Sequence, residues 1–291
     1  MPDPKILTTG ATGATGSNTV SRLLELKVPV RALVHKLDAR SEKLKAQGVE
    51  IVQGDLSDFD AVYGALEGIT GAYFVYPIQV PGILEASAFF AQAAIEQGVG
   101  AIVNMSQITA KRLSKSHAAR NHWIAERLLD RSGIPVTHLR PTLFAEWLTY
   151  LSQAIREKNI LPLPFGEARY APITAEDQGR AIAAILANPT GHAGKTYELY
   201  GPTELGQGDI AEILTKVLGR KITYVAMDIE SFKQVLKDMG FNAHFIQHIS
   251  AVAQDCRDGV CSGTNDIVEK LTGQKPMTME AYITKHKALF I

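Results

Sequence analysis

The sequence predicts an α/β fold, in which a doubly wound parallel sheet carries helices on both faces and a smaller C-terminal α+β lobe follows. Between Ile6 and Leu139, short apolar segments alternate with amphipathic helical segments, which is the order of elements in a parallel sheet. The first apolar segment leads into three equally spaced glycines, Gly10, Gly13 and Gly16, and then into a helical pattern. This strand–turn–helix order indicates a Rossmann-type nucleotide-binding domain.

The glycine loop is the strongest indication of a binding site. Gly10 can adopt the backbone angles of a tight turn, Gly13 lets the main chain approach a pyrophosphate, and Gly16 lets the helix pack against the strand. Free N–H groups at the helix start, together with the helix dipole, favour an anion. We predict a dinucleotide site there, and an ordinary strand-to-helix turn is the alternative. The loop residues assigned to the cofactor are Gly10, Thr12, Gly13, Ala14, Thr15 and Gly16.

The second predicted strand, residues 28–34, ends at a basic pair, His35 and Lys36. In this fold an acidic residue at that point binds the ribose hydroxyls of NAD, whereas basic groups accommodate the 2′-phosphate of NADP. No carboxylate appears before Asp38, and Arg40 is close. The pattern favours NADP(H), with NAD(H) as the other option, and a solvated basic loop would explain the same residues.

A third strand at 49–53, after a helix at 41–47, leads into Asp55 and Leu56. We expect Asp55 to hydrogen-bond the adenine amino group and Leu56 to pack on the ring. Asp55 would equally serve as the cap of a helix that begins near Asp58.

Further strands are predicted at 71–76, 101–105 and 136–139, with helices at 61–66, 86–97 and 121–130. Ligands of open parallel sheets bind beyond the carboxyl ends of the strands. Tyr76, Pro77 and Ile78 end the fourth strand, so they are expected to border the cofactor.

The rest of the chain predicts a second lobe. We expect helices at 148–158, 174–186, 208–218, 229–239, 243–253 and 277–290, strands at 195–199 and 223–226, and a loop at 160–171. Residues 1–150 would form the cofactor domain and 151–291 mainly a substrate lobe, of which about 172–202 returns to the cofactor domain. Aromatic side chains within 241–252 would close over a flat substrate, or simply pack a small lobe.

The composition excludes several functions. Lysines and arginines number 30 and aspartates and glutamates 30, so no basic surface for nucleic acid is indicated. No apolar run approaches the roughly 20 residues of a membrane helix. Because the first strand begins near Ile6, we expect no signal peptide and a cytoplasmic location.

The cysteines and a histidine pair bear on metal and redox chemistry. Cys256 and Cys261 do not have the spacing of a metal-binding pair, and we expect two free thiols in a reducing compartment. His244 and His248 lie one helical turn apart but lack the sequence context of a zinc site, so we expect no metal.

A set of short motifs, in order from residue 5 to about 202, resembles the NmrA-like family of atypical short-chain dehydrogenases/reductases. The motifs are Thr9–Gly16, Val30–His35, Gly54–Leu56, Asn104–Ser106, Glu126–Leu129, Ser132–Pro135, Leu139–Pro141 and Tyr197–Pro202. The resemblance implies NADPH-dependent chemistry, since the family includes quinone reductases, azo and triphenylmethane dye reductases, plant ether reductases and cofactor-sensing regulators.

The resemblance also implies roles for particular residues. The glycine loop would hold the pyrophosphate, and His35, where the family often has an arginine, would share the 2′-phosphate with Lys36. Other positions that would line the cofactor are Tyr76, Pro77 and Ile78, then Ser106 and Gln107 near the nicotinamide, and Pro141, Thr142, Leu143 and Phe144 on its other side.

The chain departs from ordinary short-chain dehydrogenases at the catalytic pair. Their Tyr-x-x-x-Lys pair falls here on Ala118 and His122. Standard alcohol oxidation is therefore not expected, whereas quinone or dye reduction depends less on a positioned acid. His122 and Ser106 are the catalytic candidates. His122, with an unperturbed pKa of about 6.5, would shuttle a proton or hold the ribose. The alternative is that it only caps the helix or lies on it without a functional role.

We therefore predict an oxidoreductase that transfers hydride from NADPH to a small conjugated acceptor such as a quinone or dye. One alternative is a non-catalytic sensor of NAD(P)(H) that contacts a regulatory protein. Another is an epimerase or dehydratase, which the missing Tyr-Lys pair disfavours. No nucleic-acid or membrane partner is expected, and a homodimer is left open.

Overall fold

A computed structural model describes residues 4–291, and its main feature is a parallel sheet of seven strands. The strands in chain order are β1 (Ile6–Thr9), β2 (Val30–Val34), β3 (Glu50–Gln53), β4 (Gly71–Phe74), β5 (Ala101–Met105), β6 (Val136–Pro141), β7 (Ile160–Leu163), β8 (Thr196–Leu199) and β9 (Thr223–Ala226). The order across the large sheet is β3–β2–β1–β4–β5–β6–β8. Successive strands are therefore added on one side of β1 as far as β3 and on its other side from β4 onwards. The prediction of a doubly wound sheet is confirmed.

Helices cover both faces of this sheet because most strand residues are buried and apolar on both faces. The helices in chain order are α1 (Ala14–Glu25), α2 (Ala39–Ala46), α3 (Phe59–Leu66), α4 (Ile83–Glu96), α5 (His117–Asp130), α6 (Trp147–Tyr150), α7 (Ala175–Ala187), α8 (Gln207–Leu218), α9 (Ile229–Asp238), α10 (Ala243–Arg257), α11 (Ile267–Thr272) and α12 (Met279–Lys285). Helices α1 and α7 pack together on one face, and α3, α4 and α5 pack on the other.

The smaller α+β lobe contains a second sheet, in which β7 pairs with β9 in parallel. Helix α8 packs on this sheet and on α12, while α9 packs on α10. Strand β8 belongs to the large sheet, where it pairs with β6. Helix α7 packs on α1 against that sheet, and α11 packs on α7. Among the described residues 4–291, no helix combines the length and the apolar character needed to cross a membrane.

Three local predictions differ from the structure. The helix predicted at 148–158 is broken into α6 and a π-helical turn, Ala154–Lys158, and the loop predicted at 160–171 contains β7. The final helix predicted at 277–290 is α12 followed by a short 3₁₀ turn, Lys287–Leu289. Each difference lies in the lobe, where β7 pairs with a strand about 60 residues later and sequence periodicity carries little information.

The expectation of two free thiols is wrong, because Cys256 and Cys261 form a disulfide with Cα atoms 4.9 Å apart. Helix α10 ends just after Cys256, and the chain then folds back, with the Val260 N–H donating to the Asp255 carbonyl at 2.9 Å. Both cysteines are buried by this turn. A spacing of five residues does not match a metal-binding pair, but the tight turn that follows α10 brings the two sulfurs together.

Candidate active site

The glycine loop follows β1 at the centre of the sheet. Gly10 has a φ of +58°, and its carbonyl accepts the Gly13 N–H at 2.9 Å, which closes the turn. A Cβ atom on Gly16 would lie 2.7 Å from the Gly10 carbonyl carbon and 2.9 Å from the Ala11 Cα. The predicted need for glycine at the first and third positions is therefore explained, although Gly16 packs on the loop backbone rather than on the strand.

The start of α1 has the features of an anion site. Its N-cap residue, Gly13, makes no side-chain capping bond, and its first turn contains no acidic residue. Gly13 and Ala14 are exposed, Thr12 is half-buried, and Thr15 is buried against the loop. The helix N–H groups thus remain free to donate to a phosphate.

A side-chain hydrogen bond joins the two strands that flank the crevice beside this loop. The Thr9 hydroxyl donates to the Val75 carbonyl at 3.1 Å and accepts the Val75 N–H at 2.8 Å. The crevice between β1 and β4 is the point at which ligands of doubly wound sheets bind.

At the end of β2, His35 and Lys36 are exposed, as is Arg40 at the start of α2. His35 Nδ1 lies 2.9 Å from the Asp55 carboxylate. Asp38 is already engaged, since its side chain accepts the Arg40 and Ser41 N–H groups and the Arg40 guanidinium. The Arg40 hydrogen bond lowers the pKa of Asp38 to about 2. The Asp38 carboxylate is therefore committed to capping α2, and the second carboxylate near this loop, Asp55, lies against His35.

Asp55 and Leu56 follow β3. The N-cap of α3 is Asp58 rather than Asp55, so the capping alternative for Asp55 is wrong. Asp55 instead accepts from the Ser57 N–H at 2.8 Å and hydroxyl at 2.7 Å, and these bonds lower its pKa. Leu56 is half-buried against the apolar layer on that side of the sheet.

Beyond β4, Tyr76, Pro77 and Ile78 turn away from the sheet. The Tyr76 hydroxyl donates to the Pro81 carbonyl at 2.9 Å, which fixes the ring, and burial raises its pKa. Ile78 packs against an apolar cluster of the lobe that includes Phe245 and Ile249. This segment therefore connects the nucleotide crevice with the second lobe.

Polar groups without partners lie beyond β5. Within residues 4–291, Ser106 Oγ, Gln107 Nε2 and His122 Nδ1 are buried and make no hydrogen bond. Buried polar atoms are rarely left unpaired, and such atoms at the carboxyl end of a strand fit a site for a polar ligand. The Gln107 side-chain oxygen, in contrast, accepts a hydrogen bond from the Thr109 hydroxyl at 2.8 Å, which fixes the amide.

His122 faces the interior from the second turn of α5. Burial lowers its pKa to about 4, although the nearby Glu126 charge opposes this. The expectation of an unperturbed value is therefore wrong, and the ring is neutral at neutral pH. Glu126, one turn later, is buried and bound by the Arg140 guanidinium through bonds of 2.9 and 2.6 Å. The pair ties α5 to the end of β6.

The residues after β6 lead into an apolar pocket. The Thr142 side chain is buried and its hydroxyl donates to the Cys261 carbonyl at 3.4 Å, while Phe144 contributes to the pocket wall. Both lobes line this pocket: Leu143, Phe144, Ala145, Trp147, Leu148, Leu151, Leu163, Phe165, Tyr170, Pro172, Gln207, Ile210, Phe232, Ile249, Val252 and Met279. Trp147 stacks on Phe245 with ring centroids 6.2 Å apart.

Sequence reasoning missed the polar contacts that join the lobes beside this site. Ser116 Oγ lies 2.7 Å from His248 Nδ1, and Gln247 binds the backbone of Lys115 and His117. These partners are about 130 residues apart, so no local pattern connects them. Within the described residues, no group of three or more His, Cys, Asp and Glu side chains is arranged to hold a metal ion.

Comparison with known proteins places the chain among reductases. The model of the NmrA-like family matches residues 2–283. The NAD(P)H azoreductase of Xenophilus azovorans is 31% identical over 287 residues, which is 98% of this chain and 99% of that protein.

Two solved structures share the fold along nearly their whole length. An NADPH-dependent quinone oxidoreductase of Escherichia coli in complex with NADPH is 27% identical, with a TM-score of 0.87 over 97% of this chain and 99% of that one. The triphenylmethane reductase of a Citrobacter species in complex with NADP(H) is 26% identical, with a TM-score of 0.83 over 97% and 99%. On this evidence the chain belongs to the NmrA-like family.

Proposed function

We propose that this chain is an NADPH-dependent oxidoreductase that reduces a small conjugated acceptor such as a quinone or a dye. The observation that carries the proposal is that two features follow neighbouring strands of the sheet. Ser106 Oγ and Gln107 Nε2 are unpartnered just after β5, as is His122 Nδ1 on α5, and an apolar pocket begins at Leu143, just after β6.

The residues present fit a dinucleotide phosphate. The glycine loop and the free N–H groups of α1 would hold the pyrophosphate, and His35, Lys36 and Arg40 would surround a 2′-phosphate. Because Asp38 is bound to Arg40 and to the α2 backbone, it does not favour NAD(H), which remains the weaker option.

Other strand ends would complete the cofactor site. Asp55 and Leu56 are assigned to the adenine, and Tyr76, Pro77 and Ile78 to the middle of the cofactor. Ser106, Gln107 and His122 would lie at the nicotinamide end, with Pro141, Thr142 and Phe144 opposite. Of these, Thr142 would contact the cofactor through its backbone, because its side chain is buried and donates to the Cys261 carbonyl.

The bound cofactor would supply the hydride. The protein would orient the nicotinamide and exclude water. The cavity has a volume of about 30 Å³, so its aromatic and aliphatic walls would have to move apart to hold a flat ring against the nicotinamide. Ser106 and Gln107 offer hydrogen bonds to a polar atom of the cofactor or acceptor. His122, neutral at the start of the reaction, can accept a proton on one nitrogen and release one from the other.

The named relatives support an acceptor of this class, because their activities are azo, quinone and triphenylmethane dye reduction. A non-catalytic sensor is less favoured, since it would not need an apolar pocket at the nicotinamide end. We also infer that 151–291, apart from α7, β8 and α11, forms the substrate lobe, because it supplies one wall of that pocket. A homodimer stays a prediction that light scattering can test.

The test is NADPH oxidation with a panel of quinones, azo dyes and triarylmethane dyes. We expect turnover with at least one class, and no turnover with any acceptor despite tight NADPH binding would refute the proposal. Val252→Trp, which fills the pocket, should lower kcat/KM for the acceptor about tenfold with little change in NADPH affinity. The matched control is Val235→Trp, at a partly exposed position of α9.

A further inference from the structure

The apolar pocket contains a pair of buried polar side chains. Among the described residues that line it, only Trp147, Tyr170 and Gln207 carry a side-chain nitrogen or oxygen. Tyr170 and Gln207 are 6% and 1% exposed and are bonded to each other. We propose that this pair is a subsite for a hydroxyl group on the acceptor, so that phenolic acceptors are the preferred substrates. This inference rests on the proposed function and narrows the substrate class of the same site.

The two segments that carry the pair are held together by other contacts. The Tyr170 N–H donates to the Leu205 carbonyl at 3.2 Å, and the Leu205 N–H donates to the Tyr170 carbonyl at 2.8 Å. The Arg169 guanidinium lies 2.8 Å from the Asp209 carboxylate in the first turn of α8. Gln207, the first residue of α8, lies between these two contacts in the chain. The backbone therefore positions Tyr170 beside Gln207 independently of their side-chain bond.

The pair has hydrogen-bonding capacity that the protein does not use. Gln207 Nε2 donates to the Tyr170 hydroxyl at 2.9 Å, whereas the buried Gln207 Oε1 accepts from no group within residues 4–291. The Tyr170 O–H has an acceptor neither in Gln207 nor elsewhere in that range. The pair thus offers one free donor and one free acceptor. If the Gln207 amide were rotated by 180°, the two residues would exchange these roles, and one donor and one acceptor would still be free.

The surroundings of the pair keep it neutral and ordered. Phe165 packs edge-on against the Tyr170 ring, with ring centroids 5.9 Å apart. Burial raises the pKa of Tyr170 to about 12, so the hydroxyl keeps its proton at neutral pH and can donate it. A buried polar group without a partner is costly in an apolar environment. A ligand that pairs with both free positions is therefore favoured over one that leaves them unpaired.

A neutral hydroxyl group matches the pair. It can accept from the Tyr170 O–H and donate to Gln207 Oε1 at the same time, whereas a methyl ether can only accept and a carboxylate cannot donate. A charged group would also lose its hydration in this apolar pocket. Both residues of the pair come from the lobe, while Leu143 and Phe144 follow β6. The hydroxyl would therefore lie on the part of the acceptor that is remote from the nicotinamide.

The experiment measures the affinities of 4-hydroxyazobenzene and 4-methoxyazobenzene for the protein in complex with NADP⁺, at a pH below the pKa of the dye phenol. Apolar walls alone would favour the methyl ether, because it buries more apolar surface. The polar pair would favour the phenol, and we expect the phenol to bind at least tenfold more tightly. A preference of less than twofold, or failure of both dyes to bind, would overturn the subsite.

Variants assign the preference to the pair. In Tyr170→Phe and in Gln207→Met, the ratio of the two affinities should fall at least fivefold, because each variant removes one partner of the hydroxyl. The matched control is Tyr224→Phe, which removes a lobe hydroxyl that donates to the Leu163 and Gly166 carbonyls and should leave the ratio unchanged. A wild-type ratio in both pair variants would contradict the inference. Because both dyes are measured on one sample, a partial loss of folded protein does not alter the ratio.

Binding does not require turnover, so the subsite and the proposed function can fail separately. If no acceptor oxidises NADPH, the proposed function is wrong, and the dye affinities still decide whether the pair binds a hydroxyl group. If quinones or triarylmethane dyes are reduced but the phenol is not preferred, the proposed function stands and the subsite is wrong.

Discussion

At the scale of single residues, the glycine loop depends on backbone atoms that approach one another too closely to leave space for a methyl group. The backbone of Gly10 turns back over the first turn of α1, so that Gly16 has no room for a Cβ atom. The atoms in the way belong to the backbone of the loop and cannot rotate aside. Sequence spacing alone predicted the need for glycine here, because the strand–turn–helix context permits few other geometries.

We predict that Gly16→Ala weakens NADPH binding at least tenfold, because the methyl group would overlap backbone atoms of Gly10 and Ala11 and the loop must move to admit it. Gly64→Ala is the matched control, since Gly64 lies in α3 with open space where its Cβ would be. This control should leave binding unchanged and stabilise the fold by roughly 0.5–1 kcal/mol. Fluorescence titration with NADPH and thermal unfolding measure the two effects, and equal affinity of Gly16→Ala and wild type would contradict the prediction.

At the scale of elements, the connection between β2 and α2 is the basis of the proposed preference for NADPH over NADH. Asp38 begins α2 with a capping box in which Ser41 is the partner. A carboxylate that caps a helix and binds Arg40 is poorly placed to accept from ribose hydroxyls as well. The sequence indicates the basic pair, but only the structure shows that Asp38, the first carboxylate after it in the chain, is engaged.

We predict that His35→Ala/Lys36→Ala weakens NADPH binding about tenfold and NADH binding less than twofold, since one lost charge-assisted contact is worth about 1.5–3 kcal/mol and both positions are exposed. The control is Lys43→Ala/Lys45→Ala on α2, which also removes positive charge from the exposed surface of this region. Affinities for both cofactors by calorimetry provide the test. Equal losses for NADPH and NADH would refute the assignment of the 2′-phosphate.

At the scale of the whole molecule, the first 140 residues were predictable and the lobe was less so. Strands β1 to β6 are short, apolar and separated by amphipathic helices, so their order and approximate bounds follow from local pattern. In the lobe, β7 exists because it pairs with β9, and α10 is positioned by contacts to Lys115 and His117. Those contacts join distant parts of the chain, and no single segment encodes them.

The packing of α10 on α5 makes the free energy of unfolding sensitive to acid, because each helix carries a buried histidine. Burial lowers the pKa of His122 to about 4 and that of His248 to about 3, whereas in the unfolded chain both are near 6.5. Between these values the unfolded chain binds more protons, so the stability contributed by the neutral rings is present above about pH 6.5 and is lost as the pH falls towards 4. Glu146 and Asp255, whose pKa values burial raises, oppose part of this loss.

We therefore predict that the free energy of unfolding falls by about 2 kcal/mol for each of the two buried histidines between pH 7 and pH 5. Urea unfolding at the two pH values measures this fall. In His122→Asn or His248→Asn the fall should shrink by about 2 kcal/mol, even if the variant is less stable at both pH values, because an asparagine does not titrate. His286→Asn, at a half-buried histidine of the lobe, is the control and should retain most of the dependence. If all three variants kept the full wild-type fall between pH 7 and pH 5, the rings of His122 and His248 would not be neutral in the folded protein, and the prediction would be wrong.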